Sequence, residues 1–315
     1  MILNKLSLKD KVRFDKYLSL KDHELSVYSF ANIYIWKKFF EIKWIMIEES
    51  LCIFFQDKIG AFLYLAPLAK NNDPEVVRCV FEILERLNKN PGFAHLENIE
   101  DRDLDFYRKL GFECSLKSHD YILSREELSG LKGNKYKSKR ASCNYFIKHS
   151  DFSCKELVFR DRKECFDLYA LWEKDRKQGN SDFIYQGMLD DSRISLSEAL
   201  DNYSKLGFKG IKVEVNRTIK AFTFGFALNR ETFCILYEIA DLTIKGLAQF
   251  IFSKFAQQLK NYKYINIMDD SGLDNLKKVK LSYHPKRLAP AYVVRRKHEP
   301  SLSLKDGLNI GGRAG

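Results

Sequence analysis

The chain has 315 residues, 45% of them hydrophobic and 30% charged, and 53 Lys and Arg against 42 Asp and Glu give a net charge of +11. This composition excludes a largely disordered protein, and the length suggests two domains or one large one. No window approaches the roughly 18 apolar residues of a membrane span, and no signal-peptide pattern opens the chain. The seven Cys form no Cys-x-x-Cys pair. We therefore expect a cytoplasmic protein with reduced thiols.

The first 124 residues are predicted to alternate between helices and strands. Helices are predicted where a capping residue precedes an apolar stripe, as at Ser7 and Asp73, and strands where branched and aromatic residues cluster. In chain order we expect helices at 8–17 and 29–36, strands at 42–48, 51–56 and 61–66, a helix at 74–87, a strand at 93–96, a helix at 102–110 and a strand at 121–123.

The second half is predicted to follow a similar order. In chain order we expect helices at 132–149, 162–176 and 197–206, strands at 210–215, 219–229 and 232–239, a helix at 245–259, a strand at 264–267, a helix at 273–279 and a strand at 291–294. Residues 300–315 have no pattern and are predicted to form a flexible tail.

A weak internal repeat connects the two halves. Lys109-Leu110-Gly111-Phe112 matches Lys280-Leu281-Ser282-Tyr283 at an offset of 171, which also carries Asp103 onto Asp274 and Tyr121 onto Tyr292. Equal spacing around a short match favours duplication over chance. The sequence therefore predicts an α/β protein of two domains with one fold, at 1–124 and 125–299.

The positive charge is concentrated in two segments without acidic residues. Leu128–Ser150 contains six Lys and Arg, and Asn275–His298 contains eight. The rest of the chain therefore has a net charge of −3. Such clusters are typical of contacts with nucleic acid, phosphate or anionic membranes. The alternative is a solvated face, or apolar surface covered by Lys stems.

Several motifs carry a resemblance to a known family. Phe106–Phe112 followed by Tyr121–Leu123 looks like the closing segment of the GCN5-related N-acetyltransferase (GNAT) fold, and Leu131–Arg140, Ile265-Asn266 and Lys280–Pro285 resemble the C-terminal domain of bacterial phosphatidylglycerol lysyltransferases. The resemblance is narrower still to soluble proteins built only of that domain. It covers most of residues 1–297. It implies two tandem GNAT-like domains with mixed sheets, like those of the aminoacyl-tRNA-dependent peptide and lipid aminoacyltransferases.

One segment departs from the family pattern. Such proteins usually read Asn-Arg-Glu-Glu-Asp-x-Gly before the last helix, whereas this chain reads Asn266-Ile267-Met268-Asp269-Asp270-Ser271-Gly272. The Arg and the first Glu have become Ile267 and Met268. If those two positions carry chemistry in the family, this protein has lost it.

Four residues are candidates for catalysis. Aminoacyl transfer requires two oriented substrates, removal of a proton and stabilisation of an oxyanion. Glu238 ends a predicted strand and could act as base, and Asp269 and Asp270 follow another strand and could orient an amine. Tyr283 stands where GNAT enzymes often hold a general acid. The structural alternatives are a salt bridge for Glu238, helix capping for the two Asp and core packing for Tyr283.

A second group of residues is a candidate for binding substrate or anions. Lys132, Lys135 and Lys139 would share one face of a predicted helix beside Tyr136 and Tyr145, a surface that suits aminoacyl-tRNA; the alternative is an exposed helix face. Lys245 and Gly246 open the helix where the GNAT fold has its pyrophosphate loop, but the alternating glycines of a coenzyme A site are absent. The full candidate set is Lys132, Lys135, Lys139, Arg140, Lys245, Gly246, Asn266 and Lys280.

Other chemistries have little support in the sequence. The six His lack metal-ligand spacing, and neither a Gly-x-Ser-x-Gly elbow nor a P-loop occurs, so we expect no metal site. The leading hypothesis is transfer of an aminoacyl group to an amine or hydroxyl, with peripheral contact to anionic lipid. The donor is expected to be aminoacyl-tRNA, with acyl-CoA as the alternative. The rival hypothesis is a non-catalytic anion- or RNA-binding module that retains the fold.

Overall fold

The computed structural model describes residues 2–179 and 181–297. The first half folds into six strands and four α-helices. In chain order they are β1 (Asn4–Lys5), α1 (Lys11–Leu18), α2 (Phe30–Ile35), β2 (Glu41–Ile47), β3 (Ser50–Gln56), β4 (Ala61–Leu63), α3 (Pro74–Leu87), β5 (His95–Glu100), α4 (Leu104–Lys109) and β6 (Phe112–Ser124).

Two helices, α5 (Arg125–Gly130) and α6 (Lys137–His149), lead into the second half. Its elements follow the same order as those of the first half. They are β7 (Phe152–Glu156), α7 (Arg162–Gln178), α8 (Phe183–Asp201), β8 (Lys209–Val215), β9 (Thr218–Ala227), β10 (Thr232–Ala240), α9 (Leu247–Gln258), β11 (Tyr264–Asn266), α10 (Asp274–Leu281) and β12 (Arg287–Arg296).

The strands of the described residues form one mixed sheet of twelve, in the order β1-β2-β3-β4-β5-β12-β6-β11-β10-β9-β8-β7. Neighbours are antiparallel except for β4 with β5 and β10 with β11, which are parallel. Each parallel pair is joined by a crossover helix, α3 or α9, because parallel strands need a long connection. The predicted α/β class is therefore confirmed.

The last strand of each half pairs with the other half. β12 lies between β5 and β6, and β6 pairs on its other side with β11. The longest of these ladders joins Arg287–Arg296 to residues 112–122. Each half of the sheet is thus completed by a strand from the opposite half of the chain, while the division into domains at 1–124 and 125–299 stays a prediction.

Local sequence signals explain several helix boundaries. Asp73 accepts a hydrogen bond from the backbone of Glu75 and Pro74 occupies the first turn of α3, as predicted. Most of the apolar stripe of α3 is buried, with Val80 and Phe81 fully enclosed, and Leu87 at its end is partly buried. Ser7 and Asp10 form a capping box ahead of α1.

Some predicted boundaries were wrong. The helix expected at 132–149 begins only at Lys137, because Leu131 and Gly133 have left-handed backbone (φ +45° and +85°) that breaks the helical path. The helix expected at 197–206 is instead the end of α8, and β7 was not predicted. β6 and β12 are much longer than the predicted strands at 121–123 and 291–294, because pairing with each other extends them through polar residues. The predicted tail at 300–315 lies outside the described residues.

Candidate active site

The parallel strands β10 and β11 diverge after a short pairing. Their register runs from Thr232 with Tyr264 to Cys234 with Asn266, where β11 ends, whereas β10 continues to Ala240. The pairing of β10 with β9 is irregular between Ile235 and Tyr237, where the ladder shifts by one residue. Such irregularities commonly re-aim side chains next to functional sites, and the part of β10 beyond it contains Glu238.

Glu238 is a half-buried carboxyl group on β10. Among the described residues no group forms a hydrogen bond or an ion pair of 4 Å or less with it. Burial raises the pKa of Glu238 to about 8, although the nearby ammonium of Lys139 acts in the opposite direction. A strand-end salt bridge, the alternative for this residue, is therefore not what the structure shows.

Lys139 and Tyr283 meet beside Glu238. The Lys139 ammonium lies 4.2 Å from the centre of the Tyr283 ring, and burial lowers its pKa. Tyr283 is 8% exposed and packs edge-on against Phe252, so core packing is part of its role. Burial raises the pKa of Tyr283, with the charge of Glu238 adding to the effect, so the hydroxyl stays protonated. We call Glu238, Lys139 and Tyr283 the Glu238 cluster.

The two acid-free segments contact each other at this cluster. The Tyr136 hydroxyl donates to the backbone carbonyl of Tyr283 at 2.9 Å. Glu127 pairs with Lys135 at 2.7 Å and with Lys286 at 2.6 Å, which together hold its pKa at about 2. The segments therefore lie against one another, but part of their positive charge is already neutralised.

The basic residues before α6 do not form the expected helical face. Lys132 and Lys135 precede the helix, so they cannot share a face with Lys139 at helical spacing. Arg140 donates to the backbone carbonyls of Leu131 and Gly133, which ties down the turn before the helix. Of this group, Lys132 is exposed and forms no ion pair with the described residues.

Gly246 is required by packing at the start of α9. Its backbone is left-handed (φ +85°), and a Cβ there would lie 2.0 Å from the carbonyl oxygen of Ser142 on α6. This close contact between α6 and α9 is enough to explain why a glycine stands here, and a bound phosphate is not needed to account for it. Lys245 is exposed and lies 4.5 Å from the centre of the Tyr145 ring, on which His149 stacks.

The remaining candidates surround the loop after β11. Tyr121 donates to the carboxylate of Asp270, whose other oxygen accepts from the backbone of Gly272. Buried Lys280 donates to the backbone carbonyls of Ile267 and Asp269, and burial lowers its pKa. These bonds hold the turn before α10, but neither Asp269 nor Asp270 caps the helix, whose N-cap residue is Leu273 and receives no side-chain hydrogen bond.

Asn266 joins three parts of the fold. Its amide donates at 2.8 Å to the Glu24 carbonyl and to the Asp120 carboxylate, and its oxygen accepts from the backbone of Met268. The polar atoms of this buried side chain are thus occupied by the protein itself, which favours a structural role. α10 connects this region to the Glu238 cluster, since Lys280 and Tyr283 lie three residues apart.

The comparisons with known proteins agree with this architecture. The family model of the phosphatidylglycerol lysyltransferase C-terminal domain matches residues 19–295. The chain belongs to this family. The comparison with curated proteins finds no match.

Solved structures extend the family relationship. A conserved protein of unknown function from Bacteroides thetaiotaomicron is 28% identical with a TM-score of 0.84, over 94% of this chain and all of that one. L-PGS from Bacillus licheniformis is 14% identical with a TM-score of 0.65, over 96% of this chain and 95% of its own. FemX shares the fold at 10% identity and a TM-score of 0.51, over 93% of this chain and 97% of its own. The tandem GNAT-like fold is thereby confirmed.

This member of the lysyltransferase domain family also has a junction network that the sequence did not reveal. His23 contacts Glu100 at 2.8 Å, Arg102 donates to the same carboxylate, and Asp120 accepts from the backbone of Ser26 at 2.6 Å. Burial raises the pKa of Asp120. A cavity of about 450 Å³ opens beside the network, and residues of both halves line it. These contacts join residues far apart in the chain, so no local motif indicates them.

Within the described residues, no helix combines the length and apolar character needed to cross a bilayer. The same residues contain no group of three or more His, Cys, Asp and Glu side chains arranged to hold a metal ion.

Proposed function

We propose that this chain transfers an aminoacyl group from aminoacyl-tRNA to an amine or hydroxyl acceptor, with Glu238 as the proton acceptor. The observation that carries this proposal is the unbonded Glu238 carboxyl, with its pKa of about 8, beside Lys139 and Tyr283 where two parallel strands diverge. Membership of the lysyltransferase domain family supports the reaction class.

Each residue of the cluster has a role in this scheme. The acceptor nitrogen or oxygen attacks the ester carbonyl carbon and passes its proton to the Glu238 carboxylate, forming the new C–N or C–O bond. The bond to the tRNA ribose oxygen then breaks, and the Glu238 carboxyl returns the proton to that oxygen. The Tyr283 hydroxyl and the Lys139 ammonium would stabilise the oxyanion between the two steps. A carboxyl with a pKa near the working pH suits both transfers.

The donor would lie along α6. Lys132, Lys137 and Lys148 are exposed and form no ion pair with the described residues, and Tyr145 presents its ring between His149 and Lys245. Cations beside an exposed aromatic ring suit a nucleic-acid strand. An acyl-CoA donor is the weaker alternative, because packing against Ser142 already accounts for Gly246. A charged-tRNA donor would place the reaction in the cytoplasm.

A specific observation favours the rival, a non-catalytic RNA- or anion-binding module. Ile267 and Met268, which replace the usual Arg and Glu of the family, pack against the apolar core instead of presenting polar groups. If the family's chemistry depends on those positions, the fold would survive here as a binding platform.

The two functions are separated by incubating the protein with charged tRNAs and amine acceptors and measuring loss of the aminoacyl ester. Wild-type protein should consume the ester, and Glu238→Gln should slow this by about 10²-fold or more. Glu231→Gln, an exposed carboxylate just before β10, is the matched control and should retain full activity. Binding with a steep salt dependence but no ester loss with any acceptor would establish the module instead.

A further inference from the structure

Thr223 is a buried hydroxyl residue on the same face of the sheet as the Glu238 cluster. It lies on β9, where the antiparallel register with β10 places it directly opposite Glu238. Directly opposite residues project to one face of the sheet, with Cβ atoms about 5 Å apart. On its other side Thr223 is paired with Ile211 of β8, which belongs to the same apolar core as Tyr283. Thr223 therefore shares with the cluster the face on which α9 packs.

The Thr223 hydroxyl has no hydrogen-bond partner among the described residues, although the side chain is fully buried. Burying a hydroxyl without a hydrogen bond is unfavourable, and a valine would fill nearly the same space without this cost. Ile211, opposite Thr223 on β8, and Ala221, two residues before it on the same strand, offer no polar side-chain atom. The polar side chain opposite it in register is Glu238, whose carboxyl also has no bonded group in the described part of the chain.

A rotation of the Glu238 side chain can join these two groups. Its carboxyl lies two carbon atoms beyond Cβ, which is enough to cross the gap between opposite residues of a strand pair. Lys139 on α6 and Tyr283 after α10 face the same carboxyl, and Cys143 lies beside these two. Burial raises the pKa of the Cys143 thiol to about 11, so that it stays neutral. Glu238 thus stands between a partly exposed cation, Lys139, and a fully buried hydroxyl, Thr223.

We propose that Thr223 is a positioning residue for Glu238, whose carboxylate accepts a hydrogen bond from the Thr223 hydroxyl when the Glu238 side chain turns across the strand pair. The hydroxyl then favours the charged form, which must be present to take a proton from the acceptor. The Thr223 proton stays on its own oxygen, and the acceptor's proton passes through Glu238 to the ribose oxygen. This role in catalysis rests on the proposed function, whereas the hydrogen bond can be tested without substrate.

The test of the hydrogen bond is a carboxyl NMR titration, with the Glu238 resonance assigned by its absence in Glu238→Gln. Thr223→Val should raise the pKa of Glu238 from about 8 by about one pH unit, because the charged form loses a donor. Thr223→Ala, which also lacks the hydroxyl, should show the same rise, and Thr223→Ser should keep the wild-type value.

Thr218→Val is the matched control, since Thr218 is exposed at the start of the same strand and should leave the titration unchanged. An unaltered or lowered Glu238 pKa in Thr223→Val and Thr223→Ala would overturn the proposal. So would a rise of the same size in Thr223→Ser.

The role in transfer is tested by the pH dependence of ester loss, with spontaneous hydrolysis subtracted. A rise of one pH unit would reduce the carboxylate fraction about tenfold at pH 7, so Thr223→Val should be about tenfold slower there and approach the wild-type rate at pH 9. Thr223→Ser and Thr218→Val should follow wild-type. No ester loss by wild-type protein would reject the proposed transfer and leave the titration result standing. An active Thr223→Val with the wild-type pH profile would overturn the positioning role.

Discussion

The ammonium of Lys139 lies 4.2 Å from the centre of the Tyr283 ring, and the Glu238 carboxyl stands beside both. This contact joins the first turn of α6 to the segment after α10, which are more than a hundred residues apart in the chain. It brings together a carboxyl group, a cation and a hydroxyl where β10 continues beyond its parallel neighbour β11.

Lys139→Met should raise the pKa of Glu238 further above about 8, because the ammonium is the group that lowers it. The measurement is a carboxyl NMR titration, with the resonance assigned by its absence in Glu238→Gln. Lys148→Met, on the exposed end of the same helix, should leave the titration unchanged. An unaltered Glu238 pKa in Lys139→Met would show that the two groups do not interact.

Glu238→Gln should stabilise the protein at alkaline pH. The folded-state pKa of Glu238, about 8, exceeds its ordinary value, so its contribution to stability is fully present at acid pH and is lost as the pH rises through 8. The neutral amide avoids this loss. Denaturant unfolding at pH 5 and pH 9 measures the free energy of unfolding of both proteins. The difference between variant and wild-type should shift in favour of the variant at pH 9 only. A constant difference between the two pH values would contradict the raised pKa.

Gly246→Ala should cost about 3 kcal/mol or more of unfolding free energy, since the added Cβ meets the Ser142 carbonyl oxygen at 2.0 Å in a left-handed backbone. Gly111→Ala is a matched control with the same φ of +85° and no atom within 4 Å, so only the cost of the left-handed backbone, about 1 kcal/mol, applies. Equilibrium denaturation of both variants measures the difference. Equal losses would show that α6 and α9 are less closely packed than described.

Asn266→Ala should destabilise the junction by about 2–3 kcal/mol, because it removes the donor to the Glu24 carbonyl and one of the donors to the buried Asp120 carboxylate, which keeps the bond from the Ser26 backbone. Asn261→Ala, an exposed amide in the preceding loop, should cost less than about 0.5 kcal/mol. Thermal unfolding measures both. A neutral Asn266→Ala that instead lost tRNA binding would restore the substrate-binding role expected from the sequence.

Elements with strong local signals could be predicted from the sequence. Asp73-Pro74 marks the start of α3, and most of its apolar stripe is buried as the spacing requires. The polar residues of β6 carried no strand signal, because their extended conformation depends on pairing with β12. Long-range pairing of this kind cannot be read from local periodicity.

The candidate site was predictable only in part. Glu238 and Tyr283 were expected near a strand end and a closing helix, and the structure places them together beside Lys139. The same reasoning could not foresee that Arg140, Asn266 and Lys280 use their polar groups to hold the backbone. A basic or amide side chain looks the same in a sequence whether its partner is a ligand or a carbonyl of its own chain.

The crossing of β6 and β12 ties the order of synthesis to the order of folding. As the chain emerges, β5 and β6 have no strand between them until residues 287–296 are made. The growing polypeptide must therefore keep two sheet edges unpaired, and protected from other chains, until residues 287–296 have appeared. A fragment ending before residue 287 should be captured by chaperones or aggregate, even though it contains every residue of the Glu238 cluster.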